Sequence, residues 1–314
     1  MSSVPGAPRS GVPWQTARVD GAAARRLHLE VGRRLDGLLQ GRHAGLLPGP
    51  GTEPAEARPY APGDDVRRID WAVTARTTET HVRDAVAERE LETTLVVDLS
   101  GSMSFGTRRW EKRELALSVA AAFAHLGEGP GDRVGAVVLS AGGLRRVPPR
   151  AGRPAVLALL HALLQVPRAD GRGPGVAAGL RAVLDPPRRR GLVVVVSDLL
   201  DPDGPTAWAP PLQRLAVRHD VVVAEVLDPR ELALPDVGVL RLVDPESGRE
   251  LEVQTGSRRL RERYAAAAAA RRAEHAATVR AAGAGHLVLR TDTDWLRDLA
   301  GHLSRRRRTR GVVR

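Results

Sequence analysis

A chain of 314 residues with 42% apolar content is long enough to bury one large core with attachments. Aromatic residues supply only 3%, so the core is expected to consist of Leu, Val and Ala, and the absence of cysteine removes disulfides, thiolate nucleophiles and zinc–thiolate sites. The formal charge of +11 comes almost wholly from arginine, Lys112 being the only lysine; with abundant Ala and Gly this points to coding bias more than to a phosphate-binding face. No N-terminal run has signal-peptide form and none reaches the ~20 apolar residues of a membrane span, so a cytoplasmic protein with no membrane span is expected.

Residues 1–20 are rich in Pro, Gly and Ser and are expected to be disordered. Leu27, Val31, Leu35 and Leu38 then recur at helical spacing among arginines, which predicts an amphipathic helix over 22–39. Residues 41–62 carry Gly, Pro and charge without a period, an irregular segment that tertiary contacts must pin. An extended arm over 81–90 leads into a strand at 93–98, and from there strands and helices alternate, as parallel strands with crossover helices do. Further helices are predicted over 110–126, 154–165, 176–184 and 258–282, with one over 206–217 that Pro210 and Pro211 should interrupt and a last one over 295–303. Strands are predicted over 133–139, 192–197, 221–227 and 287–290, with a short edge piece near 144–147 and a hairpin of 239–243 with 250–253. The wholly apolar run at 192–197 belongs in the middle of a sheet covered on both faces. Together these give a doubly wound, mostly parallel α/β sheet of about six strands over 91–304, preceded by an N-terminal helix and extension over 21–90. The arginine-rich residues 305–314 follow as a solvated tail.

The sharpest feature is Leu95–Met103, where an apolar strand stops at Asp98, Ser100 and Ser102. Hard oxygen groups at the carboxyl end of such a strand lie where ligands bind in doubly wound sheets. The strand at 192–197 ends likewise in Ser197 and Asp198, with Asp201 close behind. Two carboxylates, two hydroxyls and water make a shell suited to Mg²⁺ or Mn²⁺, and Gly101 lets the loop turn tightly enough to aim both serines at one point. The competing reading is that Asp98 and Ser100 cap the helix that starts nearby.

Asp98-Leu-Ser100-Gly-Ser102, taken with Val-Ser-Asp198, resembles the metal-ion-dependent adhesion site of von Willebrand factor A domains, whose fold is the same doubly wound sheet. Upstream, Arg58-Pro-Tyr60-Ala-Pro-Gly63-Asp64-Asp65-Val-Arg67-Arg-Ile-Asp70-Trp71, continuing through Ala75-Arg76, is similar to the signature of the domain-of-unknown-function family 58. The match extends through His81-Val-Arg83 and Glu88-Arg-Glu90 and resumes at Ser197 to Pro202, so the resemblance covers most of residues 41–304. It implies that Asp98 and Asp198 hold an ion largely through water, while Ser100 and Ser102 ligate it and an acidic side chain of a protein partner completes the shell. It also implies a partner: an AAA+ ATPase of the MoxR type, the two acting in the assembly, maturation or activation of another protein or complex. One departure stands out. Adhesion sites of this type usually add a threonine from a second loop, and Pro174 of Gly173-Pro-Gly-Val176 stands in its place, with Asp170 the nearby residue able to substitute through water.

Other motifs add little. Gly173-x-Gly175-x-x-x-Gly179 follows a helix, the wrong context for a dinucleotide-binding turn, and Lys112 follows Glu111 without the glycine loop of a Walker A motif. The nine histidines, among them His28, His43, His81, His125 and His161, show no ligand spacing and are expected at the surface or in packing. Asp64, Asp65 and Asp70 beside Arg58, Arg67, Arg68 and Arg76 read as an ion-paired network folding the extension onto the sheet, with Trp71 anchoring the docking, rather than as an acid/base cluster. No recognisable base or nucleophile accompanies the oxygen cluster. The expected function is therefore a non-enzymatic protein-binding module, with nucleic-acid association through the arginine excess as the alternative.

Overall fold

The structure, a computed structural model, describes residues 21–39, 57–62, 64–77, 79–83, 91–168, 171, 173–185, 189–201, 203–244 and 247–311. The expectations for residues 1–20, for most of 41–62, for 84–90, and for Gly63 and Asp170 lie outside these residues. In chain order the elements are α1 (Gly21–Leu39), β1 (Ala57–Pro59), α2 (Trp71–Thr77), β2 (His81–Arg83), β3 (Glu92–Asp98), α3 (Lys112–Leu126), β4 (Arg133–Ser140), β5 (Gly143–Ala151), α4 (Arg153–Leu164) and α5 (Val176–Leu184). They continue with β6 (Gly191–Ser197), α6 (Pro205–Arg218), β7 (Asp220–Leu227), α7 (Pro229–Leu232), β8 (Val239–Val243), β9 (Glu250–Gln254), α8 (Arg258–Ala281), β10 (Gly285–Arg290) and α9 (Trp295–Gly311).

Six strands form one sheet in the order β5-β4-β3-β6-β7-β10, all parallel except β5. The chain enters the sheet at β3, moves outward through β4 to β5, then crosses back to β6 and moves outward the other way. The reversal falls between β3 and β6, and a ligand crevice lies beyond the carboxyl ends of strands at such a point. Alternation along each strand sends neighbouring residues to opposite faces. Leu95, Val97, Val194, Val196 and Val222 join α3, α4 and α9 in one core, while Val96, Val193, Val195 and Val223 meet α5, α6 and the end of α8 in the other. Cover on both faces accounts for the unbroken apolar run in β6.

Helix α1 packs across α3 and α4 and buries Ala23, Leu27, Val31 and Leu35, so it belongs to the main body. Held between the sheet and α1, α3 is buried from Lys112 to Ala124 and carries three charged residues, Lys112, Arg113 and Glu114, into the interior. Arg113 is held there by donating to the carbonyl of Leu99 at 3.3 Å and to that of Val166.

Three elements differ from expectation. Helix α6 runs unbroken through Pro210 and Pro211, because the burial of Trp208, Pro211, Leu212 and Leu215 offsets the missing amide donors. Strand β5 is longer than a short edge piece; it can hold Pro148 and Pro149 because it lies at the sheet edge. The last helix continues to Gly311, so the arginine block does not begin as a tail: Arg306 is ion-paired with Asp220 and donates to the carbonyl of Val221 at 3.2 Å.

Candidate docking site at the carboxyl ends of the sheet

Strands β3 and β6 run side by side, Val97 opposite Val196, and deliver Asp98 and Ser197 to the same end of the sheet. Ser197 Oγ donates to Asp98 Oδ2 at 2.7 Å, and Ser100 N donates to Asp98 Oδ1 at 3.0 Å. The Ser100 and Ser102 hydroxyls lie 3.2 Å apart. Asp198 accepts from Leu200 N through Oδ1 at 3.0 Å, and Ser102 lies close enough to its carboxylate to help hold it down. The turn between them is strained. Leu199 has φ 57°, the one positive value outside glycine among the described residues, and is held by its amide donating to Ser197 Oγ at 3.0 Å. The structure thus brings all four candidate ligands, Asp98, Ser100, Ser102 and Asp198, to one place.

A cation is already there. Lys112, fully buried in the first turn of α3, donates to Asp198 Oδ2 at 2.7 Å and to Glu231 Oε1. Glu231 is itself oriented by the α7 capping box, in which its Oε2 accepts from Asp228 N at 2.9 Å. Asp228, buried at the end of β7, accepts from Thr107 Oγ1 at 2.6 Å, Thr107 N at 2.8 Å, Thr291 Oγ1 at 2.8 Å and Arg230 N at 2.9 Å. The loops after β3, β7 and β10 are therefore stitched together by carboxylates around one ammonium. None of Lys112, Asp228 and Glu231 stood out as a candidate in the sequence, although one signal existed: a single lysine among so many arginines. A compact ammonium suits this enclosed site between two carboxylates better than a planar guanidinium fork.

The electrostatics follow from this geometry. Burial, together with the neighbouring Asp198 carboxylate, pushes the Asp98 carboxyl up to about 6. Burial would raise Asp198 as well, but the Lys112 ammonium more than reverses that and holds it below the usual carboxylate range. Burial works to lower Lys112, and the charges of Asp198 and Glu231 override it, so the lysine stays charged.

The second loop does reach the site. A side chain at Gly175 would collide with the Asp201 carboxylate, 2.3 Å from Oδ2, so the Gly173–Gly175 turn is packed directly on the loop after β6. Pro174 in that turn has no donor group for a metal. Each oxygen of Asp98 and Asp198 already holds a hydrogen-bond donor, and one of those donors is a permanent cation. The Lys112 ammonium therefore competes with a divalent ion for the Asp198 carboxylate, and with no donor from Pro174 such an ion would rely on Asp98, the two serine hydroxyls and water.

The signature segment folds into a small unit of its own. β1 pairs antiparallel with β2, Arg58 opposite Val82, and Ile69 bridges Val82. Arg58 grips Asp64 with two bonds of 2.7 Å, which holds the Asp64 carboxyl down at about 2. Asp65 accepts from Arg67 N, Asp70 accepts from Ala72 N and Val73 N, Arg76 donates to the carbonyl of Ala72, and Tyr60 N donates to the carbonyl of Thr80. Of the arginine–aspartate network expected to fold the extension onto the sheet, the described residues show the Arg58–Asp64 pair, which closes within this small unit, while Asp65 and Asp70 also accept backbone amides as caps. Trp71 is not an anchor: its side chain is 72% exposed, because α2 is a short helix with no buried residue.

A family model described as a protein of unknown function, DUF58, matches residues 56–274, the stretch from β1 into α8. The chain belongs to the DUF58 family. Similar to this DUF58 chain are the uncharacterized proteins Rv1480 of Mycobacterium tuberculosis and Mb1516 of Mycobacterium bovis, each 50% identical over 290 residues, which are 91% of this chain and 90% of theirs. An uncharacterized protein of Mycobacterium avium, MAV169, is 44% identical over 168 residues, 52% of this chain and 96% of its own length. Among solved structures, the VWA domain of SpRpn10 superposes with a TM-score of 0.37 at 11% identity over 67% of this chain and 94% of that one. An uncharacterized membrane spanning protein from Vibrio fischeri gives a TM-score of 0.22 at 17% identity over 69% and 97%. Likenesses so slight carry no argument, and the doubly wound assignment rests on the strand order itself. Among the described residues no helix is long and apolar enough to cross a membrane.

Proposed function

We propose that this DUF58 chain is a non-enzymatic protein-interaction module, that its docking face is the rim formed by Ser102 and the exposed residues 105–109, and that its partner is a MoxR-type AAA+ ATPase. The two would act together in assembling or activating another protein. The observation that carries this reading is the Lys112–Asp198–Glu231 triad behind the rim. It balances buried charge with bonds internal to the chain and so presents a rigid polar platform without requiring a substrate or an ion. The groups that could do chemistry are committed elsewhere, since the Ser197 hydroxyl donates a hydrogen bond to Asp98 and the Lys112 ammonium donates two to carboxylates. The ATPase follows from the family resemblance. Mg²⁺ or Mn²⁺ is not required in this reading, because Lys112 supplies positive charge in place. Nucleic-acid binding is less supported, as Arg306 of the basic block is bound to Asp220.

The test is binding of the full chain to a purified, nucleotide-free MoxR-type ATPase from the same organism, followed by sedimentation with Mg²⁺ or with excess chelator. A complex is expected in both conditions, with affinity lowered about tenfold or more by Phe105→Ala or Ser102→Glu on the rim. Loss of the complex in chelator would return the ion to Asp98, Ser100, Ser102 and Asp198. No complex in either condition would remove the ATPase.

A further inference from the structure

At the opposite end of α3 from Lys112, the chain builds a second cluster, with one buried and two half-buried residues. His28 of α1, His125 of α3 and Glu128 just beyond α3 bring their ligating atoms within 4.8 Å of one another. His28 Nε2 stands 2.9 Å from Glu128 Oε1, and His125 Nδ1 stands 3.4 Å from Glu128 Oε2. These are hydrogen-bond distances without hydrogen-bond angles: both ring nitrogens of His28, His125 Nδ1 and Glu128 Oε1 are buried and have no hydrogen-bond partner. His28 is 4% exposed, so bulk solvent does not reach it. Gly32 permits the approach, since a side chain there would lie 3.1 Å from the His125 ring, and the two imidazoles meet edge to face at 5.3 Å.

We infer a transition-metal site that takes Zn²⁺, with His28 Nε2, His125 Nδ1 and Glu128 as ligands and a water in the fourth position. Two imidazoles and one carboxylate with an open position are a common zinc set; bonds of about 2.0–2.1 Å place tetrahedral ligand atoms ~3.3 Å apart, and the two histidine–carboxylate spacings of 2.9 and 3.4 Å lie on either side of that. The other nitrogen of His125 is already engaged: Nε2 lies 3.2 Å from Asp36 Oδ1. An Nε2–H donated to that carboxylate leaves the Nδ1 lone pair facing the cluster, the carboxylate–histidine–metal relay that orients ligands in zinc sites. Glu128 and Asp36 supply two negative charges against Arg153. The ion would staple α1, which lies outside the stretch matched by the family model, onto α3.

The test uses the full chain free of any polyhistidine tag. One Zn²⁺ per chain is expected to survive dialysis, Zn²⁺ should raise the unfolding temperature of chelator-stripped protein, and Co²⁺ in its place should show the strong visible absorption of a tetrahedral site. Glu128→Gln, close to isosteric, should abolish retention, and Asp36→Asn on the surface should weaken Zn²⁺ about 10–100-fold with folding unchanged. His28→Gln should behave as Glu128→Gln does, and if it fails to fold the other two variants carry the test. An unfolding temperature unmoved by excess Zn²⁺ would overturn the site, as would Zn²⁺ retained equally by Glu128→Gln; either outcome leaves these residues as a plain histidine–glutamate contact.

Discussion

The two ends of α3 hold the same kinds of atoms in opposite states of satisfaction. At its start, Lys112 sits between Asp198 and Glu231, and each charge meets its opposite within the chain. Just beyond its end, the donors and acceptors of His28, His125 and Glu128 converge without completing hydrogen bonds. Buried polar groups need partners, so a closed cluster reads as framework and an open one as a place for a ligand. From the sequence, the metal candidate is at the acidic strand ends and the histidines are packing; the proposed zinc site adds a second candidate at the histidines.

The most forceful way to break the contrast is to open the closed cluster. Lys112→Met removes the ammonium while leaving the buried Asp198 and half-buried Glu231 carboxylates, and the loss of one partner of a buried pair costs about 3–5 kcal/mol. Urea unfolding should show a midpoint lowered accordingly with an unchanged slope. Combining Lys112→Met with Asp198→Asn and Glu231→Gln should recover much of that loss, because the penalty comes from the orphaned charges rather than from the missing pair. A single-variant loss below about 1 kcal/mol would mean that water screens the triad, as it does surface pairs.

A third cluster sharpens the comparison and adds a pH dependence. Glu225 of β7 is fully buried between His275, at 3.3 Å, and His286, at 2.9 Å. Burial alone would raise its carboxyl, but the hydrogen bonds and charges of the two histidines more than reverse this and hold it at about 2, against an ordinary 4.5. A depressed carboxyl binds fewer protons folded than unfolded, so its stabilisation is whole above pH 4.5 and is lost as the pH falls through about 2. The gap corresponds to about 3 kcal/mol. Unfolding free energy measured from pH 6 to pH 2 should fall by about that much more in the wild-type chain than in Glu225→Gln. Parallel curves would show that the histidines do not stabilise the carboxylate.

How far each cluster was legible in the sequence depended on how local its cause is. The sheet could be read from its valine runs, and Asp98 and Asp198 could be read as strand ends, because both signals lie within a few residues. Lys112 could not, since a charged residue in the first turn of a helix is normally solvated. Its burial comes from partners 86 and 119 residues away and from the α7 cap that places one of them. The histidine cluster escaped for the same reason: ligand-spacing templates see one helix, whereas His28 and His125 come from two. The end of α9 was misjudged because its bond to Asp220 is a tertiary contact. Pro174 has a side chain without a donor, and its turn is packed against Asp201.

Trp71 offers the smallest effect. Expected from the sequence to anchor the signature unit, it stands 72% exposed, whereas Trp208 of α6, the same residue type, is 1% exposed within the second core. Trp208→Ala should cost about 3–5 kcal/mol, and Trp71→Ala should leave the urea midpoint within about 0.5 kcal/mol of wild type. A larger loss for Trp71→Ala would restore it as a structural anchor. A neutral midpoint with weakened capture of the ATPase would instead make this indole a contact, since a large exposed aromatic held by a rigid unit suits an interface better than a core.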